Sequence, residues 1–249
     1  MSLPRPSLPA LLAAAALCFA PLAAAAAPSL ALLQTLEASL NSGNSGSLSG
    51  LLSEGPGLDP SELVERYDAL RKRFPDARWQ VSPGKALRDG RSTVQIKVSG
   101  SRSEGPYLYR LEAEQLLALG EGGGRLNGQE VIRETSVLRS GSVELPISLQ
   151  IPDAVLTGQR YDVDVVFDEP LNGALVAGGI APITGPQISA SQNPELELAA
   201  LAGGGLFKIV QAPLEPGSQT WAVLLVHPDG IISTTKRVRV VADKAALTP

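Results

Sequence analysis

The sequence predicts an α+β domain, with helices and a meander of long antiparallel strands, followed by an all-β sandwich. Three observations carry that reading. Apolar residues recur at helical spacing up to Phe74, the period falls to two after Pro75, and from residue 142 onward short runs are cut by Pro, Gly, Asn and Asp. Helices and then a meander of long strands make an α+β unit, whereas short strands alone call for two sheets packed face to face. The 249 residues allow one large domain or two ordinary ones, and a 44% hydrophobic fraction is enough for a core.

The chain opens with MSLPRPSLPALLAAAALCFAPLAAAAAP, which has one charge at Arg5, an apolar run from Leu8 to Leu22 and small residues from Ala23 to Ala27. That order is a secretory signal, and cleavage after Ala26 satisfies the A-x-A rule, so residues 1–26 are expected to be a signal peptide. An uncleaved anchor is the rival, because the run is nearly long enough to span a bilayer. Leu17 before Cys18 and Pro21 after it argue against a lipidated cysteine, and there is no twin-arginine pair. The expected mature chain lacks both Cys18 and Met1, so it forms no disulfide even though export would permit one. No second apolar run is long enough to cross a membrane, so no stable insertion is expected after cleavage.

Within residues 27–140, Leu30, Leu33, Leu36 and Leu40 lie at helical spacing. NSGNSGSLSGLLSEGPG has linker composition, but Leu48, Leu51 and Leu52 suggest a short docked helix. Asp59-Pro60-Ser61-Glu62 starts another helix: Asp59 caps, Pro60 suits the first position, and Glu62 is expected to reach back to the cap. Leu63, Tyr67, Leu70 and Phe74 form its apolar face, and Phe74-Pro75 ends it. Strands follow. Val94, Ile96 and Val98 alternate with Gln95 and Lys97. Tyr107, Tyr109, Leu111, Ala113, Leu117 and Leu119 share one parity, against Arg110, Glu112 and Glu114 on the other. A weaker alternation runs from Glu130 to Arg139. Turns are expected at Gly100–Gly105 and Gly120–Gly124. GEGGG lacks the Lys-Ser/Thr ending and the following helix of a phosphate loop, so it reads as a hairpin turn.

Residues 142–243 contain VELPISLQI, QRYDVDVVF, GALVAGGIAPI, LFKIVQAP, QTWAVLLVHP and IISTTKRVRVV. About seven short strands in about 100 residues is the signature of an immunoglobulin-like sandwich. Trp221 and Phe207 are read as its core. PDAVLTGQRYDVDVVF looks like the early strands of such domains, without the cysteine pair of antibodies.

NSGNSGSLSGLL after the first helix resembles the N-S-G-small-Leu-x-x-Leu-Leu pattern of the nuclear transport factor 2-like superfamily, and the strands around GRLNGQEVIRETSVL resemble its last two long strands. The resemblance covers residues 29–140 and lies mostly in element order. It implies a cone, with helices in the mouth of a curved sheet around a pocket. Ketosteroid-isomerase-like and polyketide-cyclase-like members use pocket Asp, His or Tyr, but this region has no histidine and no aspartate in its strands. GGGLFKIVQAPLEPGSQTWAVLLVHPDG resembles conserved exported proteins of cyanobacteria that have no assigned activity. An exported protein is therefore expected, periplasmic or secreted, or in the thylakoid lumen if the source is cyanobacterial.

The residues restrict the chemistry. The formal charge of −4 and scattered basic residues leave no footprint for nucleic acid. The densest groups, Arg71-Lys72-Arg73 and Lys236, Arg237, Arg239, read as solvated faces. His227, the one histidine, precedes Pro228-Asp229-Gly230 and reads as an exposed, unconstrained turn residue, with Gly230 in a left-handed conformation. No second His or Cys remains for a catalytic pair or a zinc site, so no catalytic residue, metal or cofactor is expected. Asp162 and Asp164 point the same way; they are either a calcium site or a solvent face opposite Tyr161, Val163 and Val165. Glu112 and Glu114 either line a pocket or belong to the outer face beside Arg110 and Arg133. Trp79, Tyr107, Tyr109, Leu111 and Leu117 are the candidate lining for a small apolar ligand, or else core. GALVAGGIAPITGP is either a buried strand or an interface strip. The expected function is a non-enzymatic binding or scaffold protein with a protein partner. The alternatives are an apolar-ligand carrier and, behind it, an enzyme using Glu112, Glu114 or Glu134.

Overall fold

A computed structural model of the chain describes residues 26–105, 107–141, 144–189, 194–201 and 204–248. The expected signal peptide and Cys18 lie outside them, apart from Ala26, whose carbonyl accepts the Glu121 backbone N–H at 2.8 Å. The described chain is mixed: helices come first, and sheets with mostly antiparallel pairing make up the rest.

Helices α1 (Leu30–Asn41), α2 (Ser45–Ser49) and α3 (Pro60–Arg73) form where the apolar spacing places them. Ser29 caps α1, and Asp59 caps α3 by accepting the N–H groups of Ser61 and Glu62. Glu62 does not reach back to the cap; it pairs with Arg66 at 2.6 Å, one turn along. Leu33, Leu36 and Leu40 are buried as expected, but Leu30 is 61% exposed and Leu32 takes its place. Leu30 is the first residue of its helix, before the apolar face meets the sheet.

The strands are β1 (Arg78–Pro83), β2 (Val94–Glu104), β3 (Tyr107–Gly122), β4 (Arg125–Gly141), β5 (Ile147–Gln150), β6 (Ala154–Leu156), β7 (Arg160–Phe167), β8 (Ala177–Ile183), β9 (Ala199–Ala200), β10 (Gly205–Gln211), β11 (Gly217–His227) and β12 (Gly230–Val241). A short helix, α4 (Gly185–Ser189), follows β8. One sheet runs β1-β2-β3-β4-β12-β11-β8-β9, with β6 parallel to the end of β12, and a second sheet runs β10-β7-β5. The two halves of the sequence are therefore joined: Gly141 to Glu134 of β4 pair with Gly230 to Arg237 of β12.

The long sheet carries two cores on opposite faces. Helices α1–α3 bury Trp79, Val94, Leu111, Leu117 and Leu119 against one face of β1–β4. The second sheet buries Tyr161, Val163 and Val165 against Trp221, Val223, Ile232, Val238 and Val240. The switch occurs on β4, where Leu138 packs into the first core and its neighbour Val137 into the second. Alternation along a strand makes this possible without a bend.

Three turns depart from expectation or explain it. Gly123 (φ 60°) and Gly124 (φ 76°) make the two-residue turn between β3 and β4, where successive left-handed residues favour glycine. The Gly100–Gly105 turn is shorter than expected, because β2 runs on to Glu104. Gly100 sits inside it because a Cβ there would lie 3.2 Å from Phe74 Cβ. Gly230 is not left-handed; its need is for space, since a Cβ would fall 2.2 Å from the Ser140 carbonyl oxygen.

Of the basic groups, Lys72 and Arg73 are exposed as expected, whereas Arg71 and the three cations of β12 are not a solvated face. Lys236 is 7% exposed and paired with Asp153, and Arg237 holds Glu134 at 2.7 Å. Arg239 donates to the carbonyl of Ile132 at 3.1 Å. Arg237 and Arg239 of β12 tie the sandwich to β4, while Lys236 is held by Asp153 between β5 and β6. Arg71 donates to the carbonyls of Asn41 (3.0 Å) and Ala77 (3.2 Å), and its guanidinium carbon lies 4.9 Å from the Trp79 ring. It joins α1, α3 and β1.

Candidate functional site

The five residues proposed to line an apolar pocket fall into two groups. Trp79, Leu111 and Leu117 are packed beneath the helices, with Trp79 tilted against Tyr67 at 5.4 Å between ring centroids. Tyr109 is half-buried under Arg102, and Tyr107 is exposed near the β2–β3 turn. Neither of the two described cavities is lined by any of the five.

The larger cavity is on the other face of β1–β4. It is a trough of about 610 Å³ whose floor carries Arg78, Gln80, Lys97, Ser99, Glu112, Glu114, Arg133 and Thr135. Register explains the set. Arg78, Ser99, Glu112 and Val137 lie side by side in one row across four strands, and Gln80, Lys97, Glu114 and Thr135 form the next. An extra residue in β4, Ile132, interrupts the pairing between Arg133↔Leu116 and Val131↔Leu117, and this bulge ends the trough against a small apolar cluster of Leu87, Ala118 and Ile132. Glu112 and Glu114 thus sit on the face away from the helices and line a cavity as well. Arg139 holds Glu112 at 2.9 Å; Gln95 (2.8 Å) and Arg133 (3.4 Å) hold Glu114. Glu134 is on the helix side, engaged by Arg237 and by Gln115 at 2.6 Å. Arg78, Gln80, Lys97, Ser99 and Thr135 were not singled out in the sequence; their shared parity with Glu112 and Glu114 was the signal available.

His227 corrects the exposed-turn reading. Its side chain is 10% exposed, 6.0 Å from the Phe167 ring, and Nδ1 accepts the Asp229 backbone N–H at 3.1 Å. A ring nitrogen that accepts is unprotonated, which places the proton of a neutral imidazole on Nε2. The histidine ties the turn and packs beside the sandwich core, while the neighbouring Asp229 carboxylate is exposed and no described cavity reaches the ring.

Asp162 and Asp164 lie on the outward face of β7, and the Asp164 carboxylate accepts the Lys208 N–H at 3.3 Å. Among the described residues no group of three or more His, Cys, Asp or Glu is placed to hold a metal ion. Beside them stands β10, where Phe207 and Ile209 are 65% and 64% exposed and pair with Asp164 and Asp162 respectively. Phe207 is therefore not core, whereas Trp221 is buried and donates to the Tyr161 hydroxyl at 3.0 Å. Desolvation raises the Tyr161 pKa. The GALVAGGIAPI strip is divided: Gly178 and Gly179 are buried in β8, the latter under the Glu197 carbonyl, while Leu175 is 86% exposed.

Among the described residues no strand other than β7 pairs with β10. Bonds from Phe167 N to Gly204 O and from Ala212 N to Gln159 O bracket the pair and fix its alternation. Gly205, Phe207, Ile209 and Gln211 consequently aim their N–H and C=O groups away from β7, at an open edge.

A family model described as a domain of unknown function (DUF8623) matches residues 142–241, which span β5 to β12. No curated protein matches the chain by sequence.

Proposed function

We propose that this is an exported, non-enzymatic binding protein that takes an extended segment of a partner protein onto the open edge of β10. In this reading β5–β12 are an immunoglobulin-like sandwich and the helices with β1–β4 are a nuclear transport factor 2-like domain. Support for the first is the strand order β5-β7-β10 facing β12-β11-β8, with β6 beside β12. Support for the second is three helices on one face of a four-stranded meander. Export rests on the leader pattern of residues 1–26.

The observation that carries the binding role is the unpaired edge of β10 with Phe207 and Ile209 exposed along it. Strand addition satisfies such backbone groups and reads side chains in alternation. The partner strand should carry apolar residues flanked by a basic one, to meet Phe207, Ile209 and the carboxylates of Asp162 and Asp164. Lys208 argues for a foreign partner over a second copy. It is exposed but stands on the core-side parity of β10, with Nζ 5.5 Å from the Trp221 ring, and a charge so placed at a strand edge guards against self-pairing. The carrier and enzyme readings have less support, since Trp79, Leu111 and Leu117 are packed and Glu112, Glu114 and Glu134 are engaged by arginine.

The test is a photo-crosslinking residue at position 209 of the tagged full chain, expressed in its own host. One discrete heterologous adduct is expected, lost on Phe207→Glu and absent when the probe is at Gln80. An adduct that survives Phe207→Glu, an adduct between two copies, or none at all would sink the proposal.

A further inference from the structure

We infer that the trough on β1–β4 is a second binding site, for a short acidic saccharide: a ligand with sugar hydroxyls and at least one carboxylate. The inference is independent of the role given to β10. The trough lies on β1–β4 of the long sheet whereas β10 belongs to the second sheet, and its volume of about 610 Å³ is within the usual range for small-molecule sites, ~300–1,000 Å³.

The charge available in the trough is positive. Its two carboxylates already have partners, Glu112 on Arg139 and Glu114 on Gln95 and Arg133. Arg78 and Lys97 have no carboxylate within ion-pair distance among the described residues, and the oxygens of nearby Asp76 are taken up by Ser101. Arg133 reaches Glu114 and Asp153 only at 3.4 and 3.9 Å, so it can turn toward an incoming anion. An anion therefore gains by entering, whereas a cation must displace arginine from glutamate.

The neutral side chains set the rest of the chemistry. Gln80, Ser99 and Thr135 stand between the charges, and none has a side-chain hydrogen bond to protein among the described residues. They offer donors and acceptors in two rows at the spacing of neighbouring strands, about 4.8 Å, which suits a ligand with hydroxyls along its length. Among the described residues no aromatic ring lines the trough, and Val137 is the one apolar side chain on its face, Val98 and Ala113 belonging to the helix-side parity, so neither a stacked base nor an apolar ligand fits. The sequence has the same logic: one parity of β1–β3 makes core and the other is polar without being needed for the fold.

Isothermal titration of the full chain with digalacturonate tests this, with maltose and citrate as comparisons. Digalacturonate should bind, and Arg78→Gln and Lys97→Gln should each weaken it about tenfold or more. Both side chains are exposed, so the variants should keep the wild-type thermal midpoint. Lys208→Gln, outside the trough, should change nothing, and Phe207→Glu should bind digalacturonate normally even if it abolishes partner binding. Absence of binding, equal binding of maltose, equal binding of citrate, or binding indifferent to both substitutions each overturns the assignment.

Discussion

Strands β1 and β10 both lie at the edge of a sheet, and the chain treats them in opposite ways. Along β1 the outward backbone groups are closed by helix side chains. Asn41 of α1 donates to the Trp79 carbonyl at 2.8 Å and accepts the Trp79 N–H at 3.0 Å, as a neighbouring strand would. Glu37, one turn earlier, accepts the Val81 N–H at 2.7 Å. Along β10 nothing comparable is present among the described residues. An exposed strand edge invites pairing, and proteins cover edges they do not use. A fold that closes one edge with two dedicated side chains and leaves another open has separated a structural edge from an available one.

The sharpest way to break the comparison is to truncate an aromatic residue on each strand. Trp79 is buried against Tyr67 and under Arg71, so Trp79→Ala should cost about 3–5 kcal/mol, the usual range for a core aromatic. Phe207→Ala removes an exposed ring and should change stability by less than about 0.5 kcal/mol. Urea unfolding of both variants measures this. Equal losses would mean that β10 is as structural as β1.

A smaller effect isolates the edge from the core. Asn41→Ala leaves two backbone groups of Trp79 without partners while keeping every apolar contact of β1. The expected cost is about 1–3 kcal/mol. Light scattering should also show concentration-dependent association that the parent lacks, because β1 would then present an edge like that of β10. Stability loss without association would show that Asn41 bonds the helix to the strand but does not guard it.

The contrast between edges was only partly legible in the sequence. Local signals were strong: Asp59-Pro60 starts α3, GEGGG makes the β3–β4 turn, and Tyr161, Val163 and Val165 are buried on one parity. What failed were readings that depend on partners far along the chain. Pairing of β4 with β12 joins residues roughly a hundred positions apart, and no local pattern announces it. Without it, Lys236, Arg237 and Arg239 look like a solvated run, and Gly230 looks like a turn glycine when its neighbour is the Ser140 carbonyl. His227 was misread for the same reason, since Phe167 reaches it from another strand. Phe207 failed in the opposite sense: its alternation suits a core strand, but among the described residues no further strand or helix covers that face. In the trough, polar parity was visible, while the rows of side chains required the register.

The mildest test concerns the corner where α3 hands over to β1. Asp76 accepts the Ser101 N–H at 2.8 and 3.0 Å and the Ser101 hydroxyl at 2.6 Å, which pins this turn to β2. The Ser101 hydroxyl, then its backbone N–H, hold the carboxyl pKa below its ordinary value. A depressed folded-state pKa means that the unfolded chain takes up the proton first. The stability contributed by Asp76 is therefore complete above the unfolded pKa of about 3.9 and is lost as pH falls through the lower folded value. Asp76→Asn should be slightly less stable than the parent at pH 7, and the difference should shrink below about pH 4. Because Asp76 is exposed to solvent, this is expected to be the smallest of the effects, and thermal midpoints between pH 2.5 and 7 measure it. A difference that grows on acidification would mean that the turn is held by contacts other than the carboxylate, and that closure of the β1 edge depends on α1 alone.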